Sequence, residues 1–231
     1  MARQKKVILS GKLANLIFYE SWGKAHVRTK PVRVRQTKAT KASAQKFGKA
    51  VRISKALREG VSPILPDYKN RTLMHRVNNV MLQTLSHQLP LDVSLLNGFQ
   101  FYEDRDFTGE FRIALSVEWN KKNVIIHIPE FIPATDLVAP RSTKVVQLKL
   151  AVTGCELKNM GHIDSHSTTI EIAYNKEKVP ARQVVFPFAT KSNSLSIVVA
   201  VLNNGINKEN ISRSKPSRQW NPAEIIGAYC R

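Results

Sequence analysis

Arg28, Lys30, Arg33 and Arg35 recur at alternate positions of a stretch of chain that reads as extended. In that conformation neighbouring cations on one edge stand about 6.7 Å apart, a reach suited to successive phosphates. Lys38, Lys41, Lys49 and Arg52 continue the run, and Tyr19, Trp22 and His26 are interleaved with its start. Aromatic faces next to cations can stack unpaired bases, at about 1–3 kcal/mol per base. The simpler reading of Phe18 and Trp22 is that they bury the segment that carries them.

The charge is lopsided. The 231 residues hold 36 Lys and Arg against 17 Asp and Glu. Residues 1–60 carry 16 of the cations and two of the acids, Glu20 and Glu59, for a net +14; residues 61–231 carry 20 and 15, for +5. A cationic leading segment joined to a nearly balanced body implies an anionic partner.

Other constellations carry less. Glu103, Asp104, Asp106 and Glu110 form the densest acidic group, but they lack calcium-loop spacing. They read as a solvated hairpin tip or as a dock for a basic arm. His162, Asp164 and His166 in a strand would sit about 6.7 Å apart on one face, too far for adjacent metal ligands, and a polar turn accounts for them more simply. Ser43-Ala44-Gln45-Lys46 matches the Ser-x-x-Lys of acyl-transfer enzymes by letters alone, without its companion motifs. Phosphate-loop and dinucleotide glycine motifs are absent. No metal, cofactor or enzymatic activity is therefore expected. Cys155 and Cys230 read as free thiols in a reducing compartment.

These residues are positioned by three kinds of element. Ala14 to Lys30 alternates as strand, turn and strand, with Trp22-Gly23 at the turn and Pro31 ending the pairing. A helix is predicted from about Ala42 to Glu59, stopped by Gly60, with Ala44, Phe47, Ala50, Val51 and Leu57 as its apolar stripe. Lys46, Lys49, Arg52, Lys55 and Arg58 recur every third residue, a ridge that drifts about 60° per step and cannot all face one partner. A second helix is predicted from about Asp67, its N-cap, to His87. Beyond Asn97 the period falls to two. Strands are predicted over Phe111–Trp119, Val124–Ile128, Lys144–Cys155, Thr168–Tyr174, Gln183–Phe188, Leu195–Leu202 and Ala223–Cys230.

Several fragments together resemble a known group. Met1-Ala2-Arg3-Gln4-Lys5 is followed by Gly11, then Phe18-Tyr19 and a basic return strand. Phe47-Gly48-Lys49-Ala50, Lys55-Ala56-Leu57-Arg58 and Leu96-Asn97-Gly98-Phe99-Gln100-Phe101 come after. In this order and spacing they resemble a family of small basic Bacteroidota proteins of unknown function. The resemblance covers the first hundred residues and implies a shared architecture and a cytoplasmic bacterial setting. It supplies no site residues. The chain departs from that family in its Lys/Arg density between Arg28 and Lys49.

The resulting expectation is an α+β protein: a basic hairpin and arm over 1–40, an antiparallel helix pair over 41–90 and an antiparallel β-sandwich over 97–231. No run approaches the 18 or so apolar residues of a membrane span, and no secretory core follows the basic start. The expected role is non-catalytic. The basic segment holds a polyanion, most simply nucleic acid, with little sequence preference. The alternative is a self-assembling subunit whose hairpin or arm docks on a neighbour's strands, as a homo-oligomer.

Overall fold

The computed structural model describes residues 9–31, 36–65, 69–86, 91–103, 106–140, 142–205 and 221–231, with the backbone alone at 2–3 and 204–205. The chain is mixed α+β, its sheets are antiparallel, and the strands concentrate in the C-terminal half. It divides into two compact units, Met1–Ser43 and Ala44–Arg231.

The first unit is a four-stranded sheet of β1 (Ala2–Arg3), β2 (Gly11–Leu13), β3 (Leu16–Ser21) and β4 (Lys24–Thr29), in the order β1-β4-β3-β2. The predicted turn at Trp22-Gly23 is present, and both residues have positive φ, 56° and 67°. Strand registry pairs Tyr19 with His26 and Ile17 with Arg28, while Lys12 sits opposite Ile17 on the next strand. Period-two alternation therefore gathers Lys12, Ile17, Tyr19, Lys24, His26 and Arg28 on one face. Leu13, Leu16, Phe18, Ala25 and Val27 take the other. No described residue of this unit is buried. Trp22 corrects the burial reading: it is 96% exposed, because the turn holds it beyond the sheet.

Helix α1 (Lys38–Gly60) starts four residues earlier than the periodicity predicts. Its buried set is Ala50, Ile53, Ser54, Ala56, Leu57, Arg58 and Gly60. The core face thus centres on the i, i+3, i+4, i+7 set 50, 53, 54 and 57. Ala44 and Phe47 were expected in the stripe but lie exposed, since no residue of α1 before Ala50 is buried. Helix α2 (Arg71–Thr84) is capped by Asn70, whose Oδ1 accepts from the backbone N–H of Thr72 at 3.0 Å and of Leu73 at 3.3 Å. The cap expected at Asp67 lies outside the described residues.

The central sheet of the second unit has the order β11-β10-β7-β8, from β7 (Val145–Glu156), β8 (His162–Ala173), β10 (Ser194–Gly205) and β11 (Ala223–Cys230). A second sheet has the order β5-β6-β9, from β5 (Ser116–Trp119), β6 (Val124–Ile128) and β9 (Arg182–Phe186). Both faces of β10 are buried, so its apolar run is nearly continuous rather than alternating. Leu195, Ile197, Val199 and Val201 share one core with Ile53 and Leu57 of α1 and with Leu73, Val77 and Met81 of α2. Val198, Ala200 and Leu202, with Leu148 and Leu150 of β7, share the other with Val124, Ile126 and Ile128 of β6.

Two predicted segments differ. The strand expected over 111–119 is a strand only from Ser116. Asp106 accepts from the Thr108 backbone N–H at 3.2 Å and so caps a single helical turn, α3 (Phe107–Glu110), where a hairpin tip was expected. The His162–His166 stretch is strand rather than polar turn. The long β7 supplies its partner, with Val152 opposite His166 and Thr153 opposite Ser165. A 3-10 turn (Val93–Leu95) and a short helix α4 (Pro133–Asp136) are the remaining elements among the described residues.

Candidate functional site

The face of the first sheet that carries Arg28 is a cation–aromatic ladder. The rings of Tyr19 and His26 stack with centroids 5.5 Å apart and an interplanar angle of 25°. The Arg28 guanidinium lies 5.6 Å from the Tyr19 centroid. The pairing of Tyr19 with His26, one step from Ile17 with Arg28, brings the three side chains together as diagonal and direct cross-strand neighbours. Lys12 and Lys24 flank them and were not singled out by sequence. Lys30 is exposed past the strand end, and its N–H donates to the Asn15 carbonyl at 2.6 Å. Arg33 and Arg35 lie outside the described residues.

The second cationic element is the exposed half of α1. Between Lys38 and Lys49 no residue is buried, and the lysines 38, 41, 46 and 49 face no acid within the helix until Glu59. The first turn contains no carboxylate, so Lys38 and Lys41 sit against the positive end of the helix dipole. The drifting ridge resolves by position. Lys49 and Arg52 line an open groove, Lys55 lies 3.8 Å from Glu59, and Arg58 is driven into the core at 5% exposure.

The far wall of that groove comes from the β7–β8 turn: Leu157, Lys158 and Met160. Ala44, Gln45 and Gly48 complete the α1 side. Among the described residues none of Lys49, Arg52 and Lys158 makes a salt bridge. Lys158 could not be associated with α1 from sequence, since only the fold brings the turn to the helix.

The acidic segment has internal partners. Glu103 Oε1 accepts from Arg76 Nε at 3.0 Å, and Arg76 also donates to the carbonyls of Gln100 and Phe101. Asp106 caps α3 and accepts from Gln100 Nε2 at 3.1 Å. Glu110 is buried. Asp104 lies outside the described residues. Gln100 Nε2 also donates to Glu224 at 2.6 Å; burial pushes the Glu224 carboxyl above its ordinary value, and the nearby Asp106 charge adds to this.

The remaining chemical candidates are not assembled. Asp164 and His166 meet at 3.1 Å on β8, and His166 lies edge-on to Phe188. Among the described residues no cluster of three or more His, Cys, Asp or Glu could hold a metal ion. Burial, reinforced by Glu156, pushes the Cys155 thiol to about 11, which leaves it protonated and unreactive at neutral pH. Cys230 is raised for the same reason of burial. No described helix is long and apolar enough to cross a membrane. The sequence matches no protein-family model and no curated protein.

Proposed function

We propose that the protein is a non-catalytic architectural protein that holds a polyanion, nucleic acid in particular, through its basic N-terminal segment. The observation that carries this reading is the exposed half of α1. Four lysines project from a helical segment that buries nothing and contains no acid. Such a segment gains nothing from core packing, and its own charges repel one another and oppose the helix dipole. A phosphate chain lying along it relieves both costs and releases counterions.

The ladder of Tyr19, His26 and Arg28 on the first sheet and the Lys49, Arg52 and Lys158 groove in the second unit supply further phosphate contacts. Neither surface offers a set of side chains arranged to read base edges, so binding is driven by phosphates and tolerant of sequence. The strands of residues 97–231 then serve as a scaffold, which we read as a β-sandwich backed by an antiparallel helix pair, in a cytoplasmic setting.

Self-assembly is the second reading, and one observation favours it. Leu13, 63% exposed, and the partly covered Leu16, Phe18 and Val27 form an apolar sheet face with no buried residue. Docking of a basic arm on the 103–110 segment of a neighbour is less favoured, because Glu103 and Asp106 already have internal partners. Size-exclusion chromatography with light scattering, with and without nuclease and at two salt concentrations, separates the readings. Mass lost on nuclease treatment supports nucleic-acid binding. A nuclease-indifferent, concentration-dependent oligomer supports assembly and counts against the first reading.

A further inference from the structure

The turn that joins β3 and β4 has positive φ at both central residues, the signature of a tight primed hairpin turn. Asn, Asp or Gly usually takes the first of these positions, since a bulky side chain in the left-handed region is strained. Here the position is Trp22. Burial does not offset the strain, because the indole is 96% exposed and stacks on no ring among the described residues. Backbone strain without a packing return points to a function at the strained residue.

The surroundings narrow what the indole meets. Ser21 and Lys24 are paired at the base of the turn, and the Tyr19, His26 and Arg28 ladder continues down the same two strands. Tyr19 and His26 are stacked on each other, so the ring presented outward is that of Trp22. The ligand therefore offers a flat π face next to negative charge. A lipid surface fits less well, because the residues beside the tip are Ser21, Gly23 and Lys24 rather than apolar ones. Duplex bases already stack on one another, and a wedge would have to unstack them, whereas an unpaired base meets the indole without that cost.

We propose that Trp22 stacks on unpaired bases, so that the polyanion this protein prefers is single-stranded nucleic acid. The proposal rests on the polyanion reading above and adds the class of ligand. The test uses the full-length protein and fluorescence anisotropy with three probes: labelled oligo(dT), a duplex of equal length and labelled heparin. Trp22→Asn puts a residue suited to the turn at the strained position, so the hairpin is retained while the indole is lost. Trp22→Phe keeps an aromatic face.

The wild type should bind oligo(dT) more tightly than duplex at equal salt. Trp22→Asn should weaken oligo(dT) binding about fivefold to a hundredfold while leaving heparin binding unchanged. Trp22→Phe should recover most of the loss. Equal oligo(dT) affinity for Trp22→Asn and wild type, with heparin still bound, overturns the stacking role and leaves the polyanion reading standing. No binding of any probe removes the polyanion reading itself. The chain has three tryptophans, so a blue shift of emission on vesicles of phosphatidylcholine and phosphatidylglycerol that is lost in Trp22→Asn, without a response to oligo(dT), assigns the tip to a lipid surface and overturns the proposal.

Discussion

Gly60, the last residue of α1, abuts Thr153 of β7 so closely that a Cβ on the glycine would overlap the Thr153 hydroxyl and come within 2.9 Å of His162 Nε2. The helix therefore ends on the central sheet at a point where only hydrogen fits. Gly60→Ala should lower the stability of the protein by about 1–3 kcal/mol through overpacking. Thr153→Ala should partly restore it in the double variant, since that removes the hydroxyl and opens the space. Chemical denaturation of the four proteins of the cycle measures this, and additivity of the two single changes would show that the contact is not limiting.

The basic ridge of α1 separates affinity from stability. Lys49→Ala and Arg52→Ala remove exposed cations and should leave stability within about 0.5 kcal/mol of wild type. Each should reduce the salt slope of polyanion binding by about one. Arg58→Ala should do the opposite, costing about 2 kcal/mol of stability with no direct effect on binding, because the side chain is buried. Lys55→Ala should change either property little, its charge being paired in part with Glu59.

The cation–π contact of Arg28 with Tyr19 also makes a prediction. A double-mutant cycle of Arg28→Ala and Tyr19→Leu should show a coupling of about 0.5–1 kcal/mol in hairpin stability, the range of an exposed cation–π pair. Absence of coupling would mean that the ring only spaces the guanidinium.

Glu224 sets a pH dependence. Its carboxyl is raised above the ordinary value of 4.5 by burial, so in this window the folded state binds more protons than the unfolded one. Stability should fall as pH rises from about 4.5 through the folded value, then level off. Glu224→Gln keeps an acceptor for Gln100 and removes the charge. It should be more stable than wild type at neutral pH, with a flatter profile above pH 4.5; unfolding midpoints across pH check this. A variant less stable than wild type at neutral pH would show that the ionised carboxylate is favourable there.

Periodicity made β7, β9, β10 and β11 legible, because each alternates or is largely apolar. The start of β8 was not legible. His162-Ile163-Asp164-Ser165-His166 has the composition of a turn, and only the length of β7 makes it strand. The single turn of α3 depends on one side-chain cap at Asp106, below the reach of any pattern. In the candidate site, the interleaving of Tyr19 and His26 with the basic run was legible, and the register that stacks them beside Arg28 was not. The exposure of Trp22 was hidden because tryptophan ordinarily buries, and Lys158 was hidden because its turn lies far along the chain from α1.

The central claim is that the leading segment holds a phosphate chain. Its most direct test is the dependence of nucleic-acid affinity on salt between 50 and 200 mM. About eight phosphate contacts predict a slope of log affinity on log salt near −7 for duplex and near −6 for a single strand. A slope near zero, or no binding at the lower salt, would contradict the account.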